Sequence, residues 1–272
     1  MPNWPRSSPT VNSRASTELS DERAAGLPTP RADWALFLDF DGTLVEIAEH
    51  PEAVHVPAQL IGLLDALVQG LDGAVAIVSG RPLEGLDALL GGALPAVAGL
   101  HGLERRSLGG QIHRPADRRA ELDGLRQALE AFAGEHPGAH VEDKGNAIAL
   151  HYRRDPALER PARALVEHHC ESLGESFRLQ SGKQVLEVGP AGHDKGTVIE
   201  AFMAEPPFHG RIPVCLGDDV TDEDAFAAVN RLGGHSIRIG TDRPTAASHA
   251  LASVNEAYQW LNRLPRHLRP IQ

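Results

Sequence analysis

Ala35-Leu36-Phe37-Leu38-Asp39-Phe40-Asp41-Gly42-Thr43 is the stretch that decides the fold of this 272-residue chain. Four apolar residues without polar alternation read as a strand buried on both faces, the pattern of a parallel sheet. Two carboxylates and a Gly-Thr pair then mark where the strand ends and the chain turns. On its own, such a cluster is equally the ordinary punctuation of a turn. In an open parallel sheet, however, the carboxyl ends of the strands are where ligands bind.

Three further segments repeat the theme. The apolar run Ala74–Val78 ends in Ser79-Gly80-Arg81, and Lys195 stands near the start of an apolar-periodic helix over Asp194–Met203. Asp194 has the residue type and position of a cap for that helix. A third apolar run, Ile212–Leu216, leads into Gly217-Asp218-Asp219-Val220-Thr221-Asp222. So many acids at strand ends repel one another unless a cation sits among them, and a divalent metal is the natural candidate.

The remaining pattern supplies the scaffold. Helices are expected over Val56–Gly70, Pro82–Leu90, Asp222–Val229 and Asn255–Leu264, and strands over Ala96–Leu100 and Ser236–Ile239. Strands alternating with helices predict an α/β fold with a doubly wound parallel sheet. Between Ser79 and Lys195 the pattern changes. A helix over Ala116–Ala133, a strand pair over His140–Lys144 and Ala147–Tyr152, a helix over Pro156–Leu173 and a second pair over Phe177–Gln180 and Gln184–Val188 make a compact α+β unit. The expected organisation is a disordered tail at 1–30, a core of 31–109 and 189–272, and an inserted cap at 110–188. The tail is rich in Pro, Ser, Thr and Arg, with a short helix over Leu19–Ala25 as its one ordered option. Gly and Pro near 103–115 and 188–193 suit hinges.

Composition narrows the function classes. A formal net charge of -11 argues against a general nucleic-acid binder. It leaves room for an anionic substrate at a local patch of metal, Lys and Arg. With 42 % hydrophobic residues the chain can bury a sizeable core. The two cysteines, Cys170 and Cys215, lack metal-ligand spacing and read as small buried residues. No run of apolar residues is long enough to cross a membrane, and the N-terminus lacks a secretory pattern. A cytoplasmic protein without nucleic-acid or membrane partners is the expectation, with a monomer as one option and the oligomeric state left open.

The four segments together resemble the haloacid dehalogenase superfamily of phosphohydrolases, whose motifs they match in order. The resemblance implies a Mg²⁺-dependent phosphatase. Asp39 would be the nucleophile that forms an aspartyl-phosphate. Asp41 would serve as acid and then base, with its backbone carbonyl on the metal. Ser79 and Lys195 would complete the catalytic set by holding phosphate. Metal ligation falls to Asp39, Asp41 and Asp218, with Asp219 and Asp222 further metal-site acids whose direct or water-mediated contact stays open. Gly42, Thr43, Gly80 and Arg81 would line the phosphate.

The insert is similar to that of the trehalose-6-phosphate phosphatase family. The carrying residues are Gly99-Leu100-His101-Gly102, Glu142-Asp143-Lys144, His151-Tyr152-Arg153, and Gly182-Lys183 with Glu187. The likeness spans roughly residues 33–264 and implies hydrolysis of trehalose 6-phosphate in trehalose biosynthesis. Glu142, Lys144 and Glu187, with His101, Arg153 and Lys183, would then contact the sugar. Residues two apart on a strand share a face, so Glu142 and Lys144 can both look into a cleft while Asp143 looks away. Phosphatases of sucrose phosphate or mannosyl-phosphoglycerate, and a catalytically silent sugar-phosphate sensor, remain as alternatives. Coupling to a trehalose-phosphate synthase is implied by the resemblance alone.

Overall fold

The structure is a computed structural model that describes residues 26–48, 53–92, 94, 96–240 and 244–265. Most of the expected tail, with its Leu19–Ala25 helix, lies outside the described residues.

The chain begins its ordered path with β1 (Trp34–Leu38), every residue of which is buried. It continues through α1 (Ala58–Gly70), β2 (Val75–Val78), α2 (Leu83–Leu90) and β3 (Ala96–Gly99). Pro57 and Pro82 immediately precede the two helices, where a fixed φ suits a helix start. Gly91 ends α2 in the left-handed conformation at φ 61°. The chain returns to the core through α5, β10 (Ile212–Gly217), α6 (Asp222–Arg231), β11 (His235–Ile239), β12 (His249–Leu251) and α7 (Val254–Leu261), with α5 spanning Lys195–Met203.

Among the described residues, twelve strands divide between two sheets. The larger has the order β12-β11-β10-β1-β2-β3-β4-β5. Its strands from β12 to β3 are parallel, and β4 (Glu104–Arg106) and β5 (Ile112–His113) close it as an antiparallel edge. The chain leaves β1 toward β2 and β3, then comes back to β10 on the other side of β1. The β1/β10 boundary is therefore the topological switch point, where a crevice opens at the strand ends. Leu38 pairs with Leu216 there, so Asp39 and Gly217 leave the sheet side by side.

The smaller sheet has the antiparallel order β6-β7-β9-β8, formed by His140–Asp143, Ile148–His151, Val185–Pro190 and Phe177–Gly182 respectively. Two helices, α3 (Asp123–Glu135) and α4 (Glu159–Leu173), cover one face. Leu125, Leu129, Ile148, Leu150, Val166, Leu186 and Val188 join there in a hydrophobic cluster separate from the main core. The other face carries Glu142, Ala149, Glu187 and Gln180 as one cross-strand row.

Two differences from the sequence reading concern boundaries. Residues 110–113 were expected in the insert, yet Ile112–His113 extends the large sheet. The insert therefore starts beyond His113, and much of the expected 103–115 hinge is a β-hairpin. Strands of two or three residues carry too short a pattern to be read as strands. The same reason hides β12, whose three residues were not foreseen.

Candidate active site

The ends of β1 and β10 and the start of α5 meet at Asp39. The residue is 5 % exposed, and its backbone N–H donates to Leu216 O at 3.0 Å, which locks the turn onto β10. Asp39 Oδ1 accepts from Lys195 Nζ at 2.7 Å, and the same ammonium reaches Asp222 Oδ1 at 2.8 Å. Burial penalises the Lys195 charge, but Asp222 and Asp39 outweigh that and hold its pKa above the usual lysine range. Lys195 is presented by a rigid helix start. The Asp194 carboxylate accepts from Thr197 N at 2.7 Å, and Thr197 Oγ1 accepts from Asp194 N at 3.0 Å, a reciprocal cap.

The acids are crowded. Asp39, Asp218 and Asp222 each offer an oxygen within 4.8 Å of the others'. Burial pushes the Asp39 carboxyl well above its ordinary value; Lys195 opposes this, while Asp222 and Asp218 add to it. Burial, with Asp222 and Asp219 nearby, raises Asp218 to about 7. Asp39 Oδ2 is buried with no hydrogen-bond partner among the described residues. A hard oxygen set with an unmet buried acceptor fits a divalent cation.

Asp222 has another task. Its Oδ1 takes Lys195, and its Oδ2 accepts from the backbone N–H of Asp218 at 3.1 Å and of Asp219 at 3.0 Å. One oxygen thus anchors Lys195 and the other holds the loop that carries Asp218. Asp222, expected among the metal-site acids, keeps an oxygen within 4.8 Å of those of Asp39 and Asp218 and serves as a clamp as well.

Gly42 is required sterically. It sits at φ 84°, and a Cβ there would lie 2.3 Å from Asp218 Oδ2. Thr43, fully buried beside it, keeps its hydroxyl without a hydrogen-bond partner among the described residues. Asp41 accepts a two-pronged pair from Arg81, Nε to Oδ2 at 2.6 Å and NH2 to Oδ1 at 2.8 Å. Ser79, 1 % exposed, accepts from Arg81 N on its Oγ at 3.1 Å.

The open face of the small sheet roofs this floor. Together they enclose a cleft of about 280 Å³ lined by Asp39, Asp41, Ser79, Gly80, Arg81, His101, Glu142, Lys144, Arg153, Lys195, Asp218 and Asp219 among others. Lys144 Nζ donates to Glu187 Oε2 at 2.6 Å and to Gly80 O at 3.0 Å. Burial alone would raise Glu187, but Lys144 and His101 outweigh it and hold its carboxyl well below the usual range. Asp143 turns the other way, accepting from Arg126 of α3 at 2.8 Å. Arg153 donates to Ala48 O at 2.8 Å, tying the roof to the loop after β1.

Two expected sugar contacts stand elsewhere. The exposed Lys183 lines an adjoining hollow with Gly42, Asp218 and Val220, and its backbone N–H meets Asp219 Oδ2 at 3.3 Å. Glu187 lies behind Lys144 and His101, bonded to the first at 2.6 Å and 3.6 Å from the second. Sequence reasoning missed His140 and Arg154, and it noted His151 only as part of the His151-Tyr152-Arg153 segment; all three line the outer cleft. His151 Nε2 lies 2.8 Å from Glu142 Oε2, and its period-two position beside Ala149 was the available signal.

Comparison with known proteins agrees with this geometry. A family model described as trehalose-phosphatase matches residues 37–256. A probable trehalose-phosphate phosphatase of Sinorhizobium fredii is 44 % identical over 245 residues, covering 90 % of this chain and 91 % of that protein. A trehalose-6-phosphate phosphatase of Escherichia coli is 43 % identical over 242 residues, covering 89 % and 90 %. Among solved structures, a trehalose-6-phosphate phosphatase related protein superposes with a TM-score of 0.72 at 27 % identity, over 85 % of this chain and 97 % of that one. The C-terminal domain of the Candida albicans trehalose-6-phosphate phosphatase shares the fold, with a TM-score of 0.75 at 23 % identity over 86 % and 93 % of the two chains. The chain with this floor of carboxylates at a sheet switch point, under a roof of charged strand residues, belongs to the trehalose-phosphatase family of the haloacid dehalogenase superfamily.

Proposed function

We propose that the protein hydrolyses trehalose 6-phosphate to trehalose and phosphate, with Asp39 as nucleophile and Mg²⁺ as cofactor. One observation carries the reading. A buried Asp39 carboxylate, paired with a helix-borne lysine, faces a cleft whose opposite wall is built from sugar-compatible polar groups.

Phosphate monoesters resist attack because their oxygens are anionic, so catalysis needs positive charge and an aligned nucleophile. Asp39 attacks phosphorus, and the bond from phosphorus to the sugar oxygen breaks. Asp41 gives its proton to the departing oxygen. It then takes a proton from water, which attacks the aspartyl-phosphate, releases phosphate and regenerates Asp39. Lys195 holds the Asp39 carboxylate in place, and Ser79 offers a hydroxyl to a phosphate oxygen. Arg81, next to Asp41, is a second phosphate partner. Asp39, Asp218 and the Asp41 backbone carbonyl would hold Mg²⁺, which supplies positive charge against the phosphate oxygens.

The insert acts as a cap. Glu142, with His101 and Arg153, faces the volume beyond the phosphate position and suits sugar hydroxyls. Closing the cap excludes water from the phosphate and brings those contacts onto the disaccharide. Among the described residues no helix is long and apolar enough to cross a membrane, which is compatible with a cytoplasmic enzyme acting on a small molecule.

The test is phosphate release, with and without Mg²⁺, from trehalose 6-phosphate, sucrose 6-phosphate, glucose 6-phosphate and mannosyl-3-phosphoglycerate. A Mg²⁺-dependent preference for trehalose 6-phosphate is expected. Preference for another member would overturn the substrate assignment and keep the chemistry. Release from none would favour a sugar-phosphate sensor.

A further inference from the structure

The second phosphate segment is held in an unusual way. Its three successive backbone carbonyls, on Ser79, Gly80 and Arg81, each accept one hydrogen bond. His101 N donates to Ser79 O at 2.9 Å, and Leu100 N donates to Arg81 O at 2.9 Å. Both donors come from the turn after β3, where Leu100 and His101 sit at φ 50° and 54°. Two consecutive left-handed non-glycine residues are costly. The turn accepts that conformation where it aims two N–H groups at the segment. The middle carbonyl, on Gly80, is served from the other lobe, by Lys144 Nζ at 3.0 Å.

Lys144 is equipped for this work. Its side chain is 7 % exposed, and its ammonium lies 2.6 Å from Glu187 Oε2 and 3.8 Å from Glu142 Oε2. Glu187 comes from β9 and Glu142 from β6, so the ammonium is fixed from two strands of the small sheet. The third direction is Gly80 O. Burial lowers the pKa of Lys144, but Glu187 and Glu142 outweigh it, so the group stays charged. Gly80 itself cannot be larger: a Cβ there would lie 2.6 Å from His101 Nε2 and Cε1. His101 Nε2 is in turn 3.6 Å from Glu187 Oε2. Lys144, Glu187 and His101 therefore form one polar block between the roof and the segment that carries Ser79 and Arg81.

We propose that Lys144 is a positioning residue for the phosphate-binding segment, through which cap closure sets the placement of Ser79 and Arg81, in addition to any contact it makes with sugar. The proposal rests on the reading of the cleft as a phosphatase site. Two of its three N–H groups go to Glu187 and Gly80 O in the structure, so the ammonium spends most of its hydrogen-bonding capacity on this block. The neighbour of Gly80, Arg81, holds Asp41 through two hydrogen bonds, so a displaced segment would also displace the partner of the general acid.

The test separates phosphate from sugar. Lys144→Met removes the donor at similar length. The double variant Lys144→Met/Glu187→Gln also removes the buried carboxylate that the single change would leave unpaired, and it keeps the test open should the single variant not fold. The probes are orthovanadate, which has no sugar, and trehalose, which has no phosphate, each titrated calorimetrically in Mg²⁺ alongside turnover of trehalose 6-phosphate. Both variants should bind orthovanadate about tenfold more weakly and lose kcat by a similar factor, as expected when one charge-assisted hydrogen bond to the site is lost. Orthovanadate affinity within about twofold of the parent, with only trehalose binding and KM impaired, would overturn the proposal and leave Lys144 a sugar contact. A parent protein that binds no orthovanadate would instead sink the phosphatase reading on which the proposal stands.

Discussion

Lys195 Nζ donates to Asp39 Oδ1 at 2.7 Å across 156 residues of sequence, and to Asp222 Oδ1 at 2.8 Å. One ammonium thus holds together Asp39, the proposed nucleophile at the end of β1, and the clamp at the start of α6. All three groups are almost fully buried, with side-chain exposures of 3 %, 6 % and 1 % for Lys195, Asp39 and Asp222.

Removing the cation should therefore damage the fold as well as the chemistry. Breaking a buried ion pair by deleting one partner costs about 3–5 kcal/mol. Lys195→Met is expected to lose turnover and to melt well below the parent. Asp39→Asn, nearly isosteric, should also lose turnover while keeping its melting temperature within a few degrees. Thermal denaturation of the two variants side by side checks this. Near-parent turnover in Asp39→Asn would remove it as nucleophile.

The raised pKa of Asp218 gives metal binding a pH dependence of known sign. Burial and the neighbouring acids push this carboxyl to about 7 from 3.8. An acid whose folded pKa is raised holds its proton more tightly when folded, so its contribution to stability falls as pH rises from about 4 to about 7 in metal-free protein. A metal ligand must shed that proton. Mg²⁺ affinity should accordingly fall by about tenfold per pH unit below about 7 and level off above it. Calorimetric titrations at several pH values read the slope directly; a flat profile from pH 5.5 to 8 would mean that Asp218 does not gate the metal.

Glu142 should read the sugar. It faces the cleft on β6, 2.8 Å from His151 Nε2. Burial raises its pKa, but His151 and Lys144 outweigh that and keep it a carboxylate, an acceptor for hydroxyl groups. Glu142→Ala should cut kcat/KM for trehalose 6-phosphate at least about tenfold more than for a small aryl phosphate, since a site that loses a hydroxyl partner gives up a hydrogen bond to a charged group. Equal losses on both substrates would show that it does not discriminate the sugar.

The chemistry-bearing floor was legible because its residues sit at ends of long apolar strands. Asp39, Ser79 and Asp218 follow β1, β2 and β10, whose every residue but Ile212 is buried, so the turn after each run could be read directly. The face assignment on β6 was equally legible from the period of two. What the sequence hid were relationships set by tertiary geometry. Asp222 looked like one more metal-site acid, and its oxygens also take Lys195 and two backbone amides. Glu187 looked like a sugar contact and stands behind Lys144. Lys183 looked inward by motif, but its strand end turns it to an exposed position. The short strands β4, β5 and β12 carried too few residues for any period to show.

Arg178 offers a test of cap closure away from the chemistry. It lies on the open face of β8 and reaches Asp194 Oδ2 at 3.4 Å and Asp224 Oδ2 at 3.2 Å. Asp194 caps the helix that presents Lys195, and Asp224 lies in the first turn of α6, so a single guanidinium of the small sheet spans both helix starts. The pair is half open to solvent, with the Arg178 side chain 34 % exposed. Screened pairs of this kind contribute about 0–1 kcal/mol, too little to unfold the protein but enough to shift an open–closed equilibrium severalfold. Arg178→Ala should raise KM for trehalose 6-phosphate by about threefold to fivefold, with little change in melting temperature. Salt should mimic the change in the parent, because ions screen the same contact, and the variant should have lost that part of the salt response. Measuring KM against sodium chloride for both proteins decides it: parallel curves would mean that Arg178 does not hold the cap closed.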